Sequence, residues 1–242
     1  MKGAILRRCD ARLVDIGHEF PRQNVRAAAF WLAKILPEFP PAVHLVVVDP
    51  GVGTDRAALA VRAGDHVLVG PDNGVLLPAA RELANGGDKL RADIDAYELA
   101  VDEPRSSTFH GRDVFAPGAA AVHETGIDRL PELEELSPAD GVVDLEFPDP
   151  ELSENGVVGE VLVVDDFGNV ITNIPGDTLG NRSVVRVEDD PTPVVNSYAY
   201  AEADERVVTV GSHGNVELAV NRGRGDEAFG LAVGDAVRIG FS

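Results

Sequence analysis

The sequence predicts two domains: an α/β N-terminal domain with a central, mostly parallel sheet, and a smaller all-β C-terminal domain. Three observations carry this prediction. The first half alternates short apolar segments with stretches of helical period, the pattern of strands and crossover helices. Residues 130–154 are rich in Pro, Glu and Asp and poor in strand signals, which marks a boundary. Beyond it, apolar and polar residues alternate in short runs punctuated by turns. The expected division is an α/β domain over 1–140, a linker over 141–155 and an antiparallel β domain over 156–242. A chain of 242 residues with 44% hydrophobic content has enough apolar material for two cores.

The elements follow in order. Residues 12–16 form a short candidate strand leading to a polar loop at His18. From Asn24 to Leu36 a helix places Val25, Ala29, Leu32, Ala33 and Leu36 on one face, with Asn24 as its cap. Residues 43–48 are a continuous run of valines and leucine with one histidine, as in a strand covered on both faces. Asp49-Pro50-Gly51 ends it abruptly. Residues 59–61 and 66–69 read as strands, followed by Gly70-Pro71-Asp72-Asn73-Gly74 and a helix to about Leu83. A strand over 97–101, a polar loop and a small-residue helix over 116–123 complete the first domain. In the second, strands are expected over 157–164, 170–174, 183–187, 206–210, 216–220 and 236–239.

Composition excludes several functions. There are 41 Asp and Glu against 21 Lys and Arg, a formal charge of −20, so the chain is a poor partner for nucleic acid. No apolar run reaches the ~20 residues that span a bilayer, and no signal peptide is seen. One cysteine, Cys9, excludes an intrachain disulfide framework, and a cytoplasmic location is expected. Only 3 of the 21 basic residues are lysines, which with the acidity fits solubility at high salt.

Polar clusters lie at the ends of the apolar segments. VVDPGVGTDR carries Asp49 and Arg56 but lacks the Lys-Ser/Thr end of a phosphate-binding loop. Read alone it is a strand-end turn. GPDNG over 70–74 reads as a turn that opens a helix. Ser106-Ser107-Thr108-Phe109-His110-Gly111-Arg112-Asp113 groups a histidine with hydroxyls and an Arg-Asp pair. His18, His44, His66, His123 and His213 have no metal-ligand spacing, and no metal is expected. In the second domain, Asp165-Asp166-Phe167-Gly168-Asn169 offers an aromatic ring beside amides, suited to a planar heterocycle, although a hairpin with Phe167 folded onto the core is the plainer reading. Ser212 and Glu217 bracket a glycine-rich hairpin turn.

Together and in this order, VVDPGVGTDR, GPDNG, STFHGRDVFAP, DDFGNVITN and GSHGNVELAVN resemble one family along the whole chain. That family is the S-adenosyl-L-methionine hydrolases, or SAM hydroxide adenosyltransferases, which share a fold with the SAM-dependent fluorinase and chlorinase. The resemblance implies a catalytic triad of Asp49, Arg56 and His110, with Phe167, Asn169, Tyr198, Ser212 and Glu217 binding substrate. It further implies S-adenosyl-L-methionine as substrate, no cofactor, and a homotrimer whose sites lie between subunits. The reaction it implies is attack of water or hydroxide on ribose C5′, giving adenosine and L-methionine. A SAM-dependent halogenase and a non-catalytic SAM- or adenosine-binding protein are the alternatives. Family members also carry a first strand with a TDFG-like motif ahead of the segment matching Met1-Lys2-Gly3. That strand is absent from this chain, and the expectation is a start assigned too late.

Overall fold

The computed structural model describes residues 1–20, 23–85, 94–100 and 109–241. Ser106, Ser107 and Thr108, and Val101 at the end of an expected strand, lie outside the described residues. The chain divides into two compact units, Met1–Leu145 and Glu146–Ser242.

The first unit contains α1 (Lys2–Ile5), α2 (Val25–Ile35), β1 (Val43–Leu45), β2 (Ala58–Ala63), β3 (His66–Pro71), α3 (Leu77–Asn85), β4 (Ile94–Leu99), α4 (Ala116–Thr125) and β5 (Leu136–Pro138). Asn24 caps α2 as expected, its side-chain oxygen accepting from Ala27 N–H at 3.0 Å. Residues 12–16 have no ladder partner and form no strand. The sheet order is β1-β3-β2-β4-β5. The expectation of a mostly parallel sheet is corrected: among the described residues only β1–β3 is parallel, and β3–β2, β2–β4 and β4–β5 are antiparallel. The physical reason is the two-residue connection Gly64-Asp65 between β2 and β3. A loop that short can only fold the chain back on itself, and Gly64 supplies the positive φ of 58° that such turns demand. Val114 and Phe115 just before α4, and Ala119 and Val122 along it, pack with Ala58, Ala60, Val67, Val69 and Leu99 to form the core over this sheet.

The second unit contains β6 (Glu151–Ser153), β7 (Gly156–Val164), β8 (Val170–Pro175), β9 (Val184–Val187), β10 (Asp190–Pro193), β11 (Arg206–Val210), β12 (Asn215–Val220), α5 (Gly225–Phe229) and β13 (Ala236–Gly240). The strand order is β10-β9-β13-β7-β8-β12-β11, with β6 paired to β7 inside the stretch expected as a linker. A bridge between Val194 and Val208 links the two ends of this order, so the sheet nearly closes around its core. That core includes Val161, Ile174, Leu179, Val185, Leu218 and Ile239. The antiparallel pattern follows from the period-two runs, and the short helix α5 with 3₁₀ turns over Gly176–Leu179 and Tyr198–Tyr200 departs from an all-β unit.

One buried pair in the first unit sets a pH dependence. His44 on β1 is 4% exposed, and its Nε2 lies 2.9 Å from Nδ1 of His66 at the start of β3. Burial, and then the neighbouring His66, push the His44 pKa from 6.5 down to about 4. Burial also lowers His66, against an opposing pull from Asp65. The folded state therefore holds His44 neutral. Its contribution is complete above the unfolded pKa near 6.5 and is lost as pH falls toward about 4. Urea unfolding across this window should show the parent losing on the order of 3 kcal/mol more than a His44→Gln variant. Parallel pH profiles for the two proteins would defeat the assignment.

Candidate active site

The chemistry-bearing residues of the first unit converge on one guanidinium. The extended chain after β1 runs through Val48 to Asp49 and turns over 50–55, where Thr54 N–H and Oγ1 both bond to the Gly51 carbonyl, at 3.1 and 2.7 Å. This turn returns Arg56 to Asp49 just before β2. Arg56 Nε donates to Asp49 Oδ1 at 2.8 Å, and Nη2 donates to Oδ2, a bidentate pair. Nη1 donates to the Ala57 carbonyl at 3.2 Å. The pair is buried, with side-chain exposures of 10% for Arg56 and 6% for Asp49. The Phe115 ring lies beneath the guanidinium, 4.9 Å from Cζ.

His110 completes this cluster. It precedes a π-helical turn over Gly111–Phe115 that leads directly into α4. Such turns widen the helix and re-aim side chains at functional positions. His110 Nδ1 lies 3.2 Å from Arg56 Nη2. Because a guanidinium only donates, Nδ1 is the acceptor and the imidazole proton sits on Nε2. The expected triad of Asp49, Arg56 and His110 is thus brought within hydrogen-bond contact, although 54 residues separate Arg56 from His110.

GPDNG does more than open a helix. Asn73 Nδ2 donates to the Val48 carbonyl at 2.9 Å while its Oδ1 accepts from Val75 N–H at 3.2 Å. Asn73 therefore ties the backbone immediately before Asp49 to the approach of α3. Asp72 accepts from Val143 N–H at 2.7 Å. Among the described residues, no group of three or more His, Cys, Asp or Glu is placed to hold a metal ion, and no helix is long and apolar enough to cross a membrane.

The second unit places the remaining candidates in two groups. Asp165 Oδ1 accepts from Phe167 N–H at 3.0 Å and Asn169 N–H at 2.8 Å, and Oδ2 accepts from Asn169 Nδ2 at 2.9 Å. This turn leaves Asn169 buried and Phe167 79% exposed, so the ring does not fold back onto the core. In the other group, Tyr198 donates its hydroxyl to Glu217 Oε1 at 3.2 Å. Burial first, then the charge of Glu217 and the bond to it, raise the Tyr198 pKa above its usual 10, so the phenol keeps its proton. Ser212 is exposed on the hairpin between β11 and β12. His213 beside it, which has no metal-ligand spacing, is not among the expected site residues, yet its Nε2 lies 3.3 Å from Glu217 Oε2. The i,i+4 spacing of His213 and Glu217 across a hairpin turn was the available signal. Asp165, the organiser of its turn, was legible only as an ordinary turn former.

A mixed sheet bearing an Arg–Asp–His cluster, followed by a nearly closed β unit, defines a two-domain class of proteins. Residues 1–131 match the SAM hydroxide adenosyltransferase N-terminal domain and 159–238 the C-terminal domain, so the chain belongs to the SAM hydroxide adenosyltransferase family. It is 42% identical over 233 residues to the (R)-S-adenosyl-L-methionine hydrolase of Salinispora tropica, covering 94% of this chain and 86% of that protein. A Thermus thermophilus protein of the same name is 39% identical over 234 residues, covering 94% and 87%. The fold resembles the crystal structure of an uncharacterized conserved protein from Thermotoga maritima, with a TM-score of 0.82 and 33% identity over 98% of this chain and 92% of that one.

The buried pair predicts a stability cost separable from chemistry. Asp49→Ala leaves a nearly buried guanidinium without its carboxylate and should destabilise the protein by about 3–5 kcal/mol. Adding Arg56→Met removes the orphaned charge and should restore most of that loss in urea unfolding. A double variant no more stable than Asp49→Ala would contradict this account.

Proposed function

We propose that this protein hydrolyses S-adenosyl-L-methionine to adenosine and L-methionine, acting on the (R) epimer at sulfur named for its relatives. The observation that carries the proposal is the single guanidinium shared by Asp49 and His110 in a chain of this family. Water attacks ribose C5′, the C5′–S bond breaks, and its electron pair leaves on sulfur as the neutral thioether of methionine. The water proton passes to Asp49, whose oxygens keep a second lone pair after binding Arg56, and is then released to solvent. His110 cannot take it through Nδ1, which already accepts from Arg56. Its Nε2–H instead holds the oxygen as negative charge develops, and the guanidinium supplies the fixed positive field. Cancellation of charge between nucleophile and sulfonium favours a site from which water is excluded.

The family resemblance supports a homotrimer in which Asp49, Arg56 and His110 of one subunit meet Phe167, Asn169, Tyr198 and Ser212 of a neighbour. The adenine ring would stack on exposed Phe167, and no cofactor enters the proposal. An acidic chain with one cysteine suits a cytoplasmic setting.

Incubation with each sulfonium epimer at high salt, followed by chromatography and mass analysis, tests the reaction. Adenosine and methionine should appear in equal amounts, faster from the (R) epimer. Arg56→Ala and His110→Ala should each lower the rate about 10²–10³-fold. Adenosine release at the parental rate by either variant would sink the assignment. Chloride-dependent 5′-chloro-5′-deoxyadenosine would replace hydrolysis with halogenation.

A further inference from the structure

The second unit holds a carboxylate that its surroundings leave short of positive charge. The Glu217 side chain is 6% exposed. Oε1 accepts from the Tyr198 hydroxyl at 3.2 Å, and Oε2 lies 3.3 Å from His213 Nε2. Asn215 N–H donates to His213 Nδ1 at 3.2 Å, which places the ring proton on Nε2, facing Glu217. These two partners of the carboxylate are therefore uncharged donors, and among the described residues no lysine or arginine pairs with it. The backbone of Gly211 closes over the group, where a Cβ would collide with the His213 ring and the Glu217 carboxylate. Desolvating a carboxylate costs several kcal/mol, and neutral hydrogen bonds offset only part of that.

We infer that Glu217, held in place by His213 and Tyr198, is a specificity-determining residue that selects positively charged ligands of the adenosine site. Tyr198 is the member that a ligand touches. It is 40% exposed, and since its proton is committed to Glu217, a ligand meets the ring face and the remaining lone pair of its oxygen. Both attract cations, the ring through its quadrupole and the oxygen through polarisation by the carboxylate behind it. The sulfonium substrate carries the charge this arrangement asks for, and the nucleoside product does not. The inference rests on the proposed adenosyl chemistry, since it assumes that a nucleoside occupies this surface. Burial shields the charge, so the selection survives high salt better than a surface ion pair does.

Two ligands that differ in one charge test it: adenosine, and 5′-amino-5′-deoxyadenosine near neutral pH, where an alkyl amine is protonated. Calorimetry on the full chain should show the amine binding about tenfold more tightly than adenosine, the scale of one charge-assisted contact. Glu217→Gln should erase that ratio, lowering amine affinity about tenfold more than adenosine affinity. Tyr198→Phe removes the polarised oxygen but keeps the ring face and the buried charge, so it should lower the ratio only in part. A preserved ratio in Glu217→Gln, or an equal loss of both ligands in it, would overturn the inference. Binding of neither nucleoside to the parent would overturn the functional proposal along with it. Thermal unfolding of each variant separates loss of selection from loss of fold.

Discussion

The Arg56 guanidinium is the point on which the polar cluster of the first unit depends. It is nearly buried, and its donors are distributed over the Asp49 carboxylate, the Ala57 carbonyl and His110 Nδ1, with the Phe115 ring beneath. Those partners come from three places: the turn after β1, the start of β2, and the π turn before α4. Only a planar fork with donors on every edge can hold them together, and a lysine ammonium at the same position would satisfy one or two. The arrangement is also an electrostatic necessity. A buried carboxylate and a buried guanidinium are each costly alone and tolerable together when their hydrogen bonds are satisfied.

The consequence for His110 is directional. An imidazole beside a carboxylate usually donates to it and offers its other nitrogen as a base. Here the guanidinium stands between them, so His110 accepts at Nδ1 and donates at Nε2. The cluster therefore presents a donor at His110 Nε2, and its acceptor capacity is concentrated on Asp49. That division of roles comes from one hydrogen bond at 3.2 Å and could not be read from residue identities.

Much of the fold was legible because it is written in local periods. The cap at Asn24 and the strands of the second unit follow from patterns within a dozen residues of each other. What escaped depends on position in the sheet. Asp190-Pro191-Thr192-Pro193 is not among the expected strands, yet it forms β10, because an edge strand tolerates proline where a central strand does not. The apolar residues of 12–16 carry strand propensity but have no partner, and propensity without pairing makes no strand. The sheet's mixed direction was encoded in Gly64-Asp65, a signal outweighed by the broader alternation of strands and helices. At the site, motif order groups Asp49, Arg56 and His110, which the structure brings into contact, whereas the i,i+4 spacing of His213 and Glu217 is a weak signal because the two meet only across the folded hairpin.

The two buried carboxylates of the two units show opposite solutions to the same problem. Asp49 is neutralised within its own unit by a bidentate arginine, at a cost in adaptability: its charge is already matched. Glu217 is held by a phenol and an imidazole, groups that fix its geometry without cancelling its charge. In a chain with a formal charge of −20, surface acidity is abundant and unselective, screened by salt within about 8 Å at physiological ionic strength. A carboxylate gains discrimination only when burial removes that screening and neutral partners leave its field intact. Both conditions meet at Glu217 and not at Asp49. The acidic composition and the buried carboxylates are thus distinct features of the same molecule: the first is open to screening by salt, and the second are defined by the partners the protein places around them.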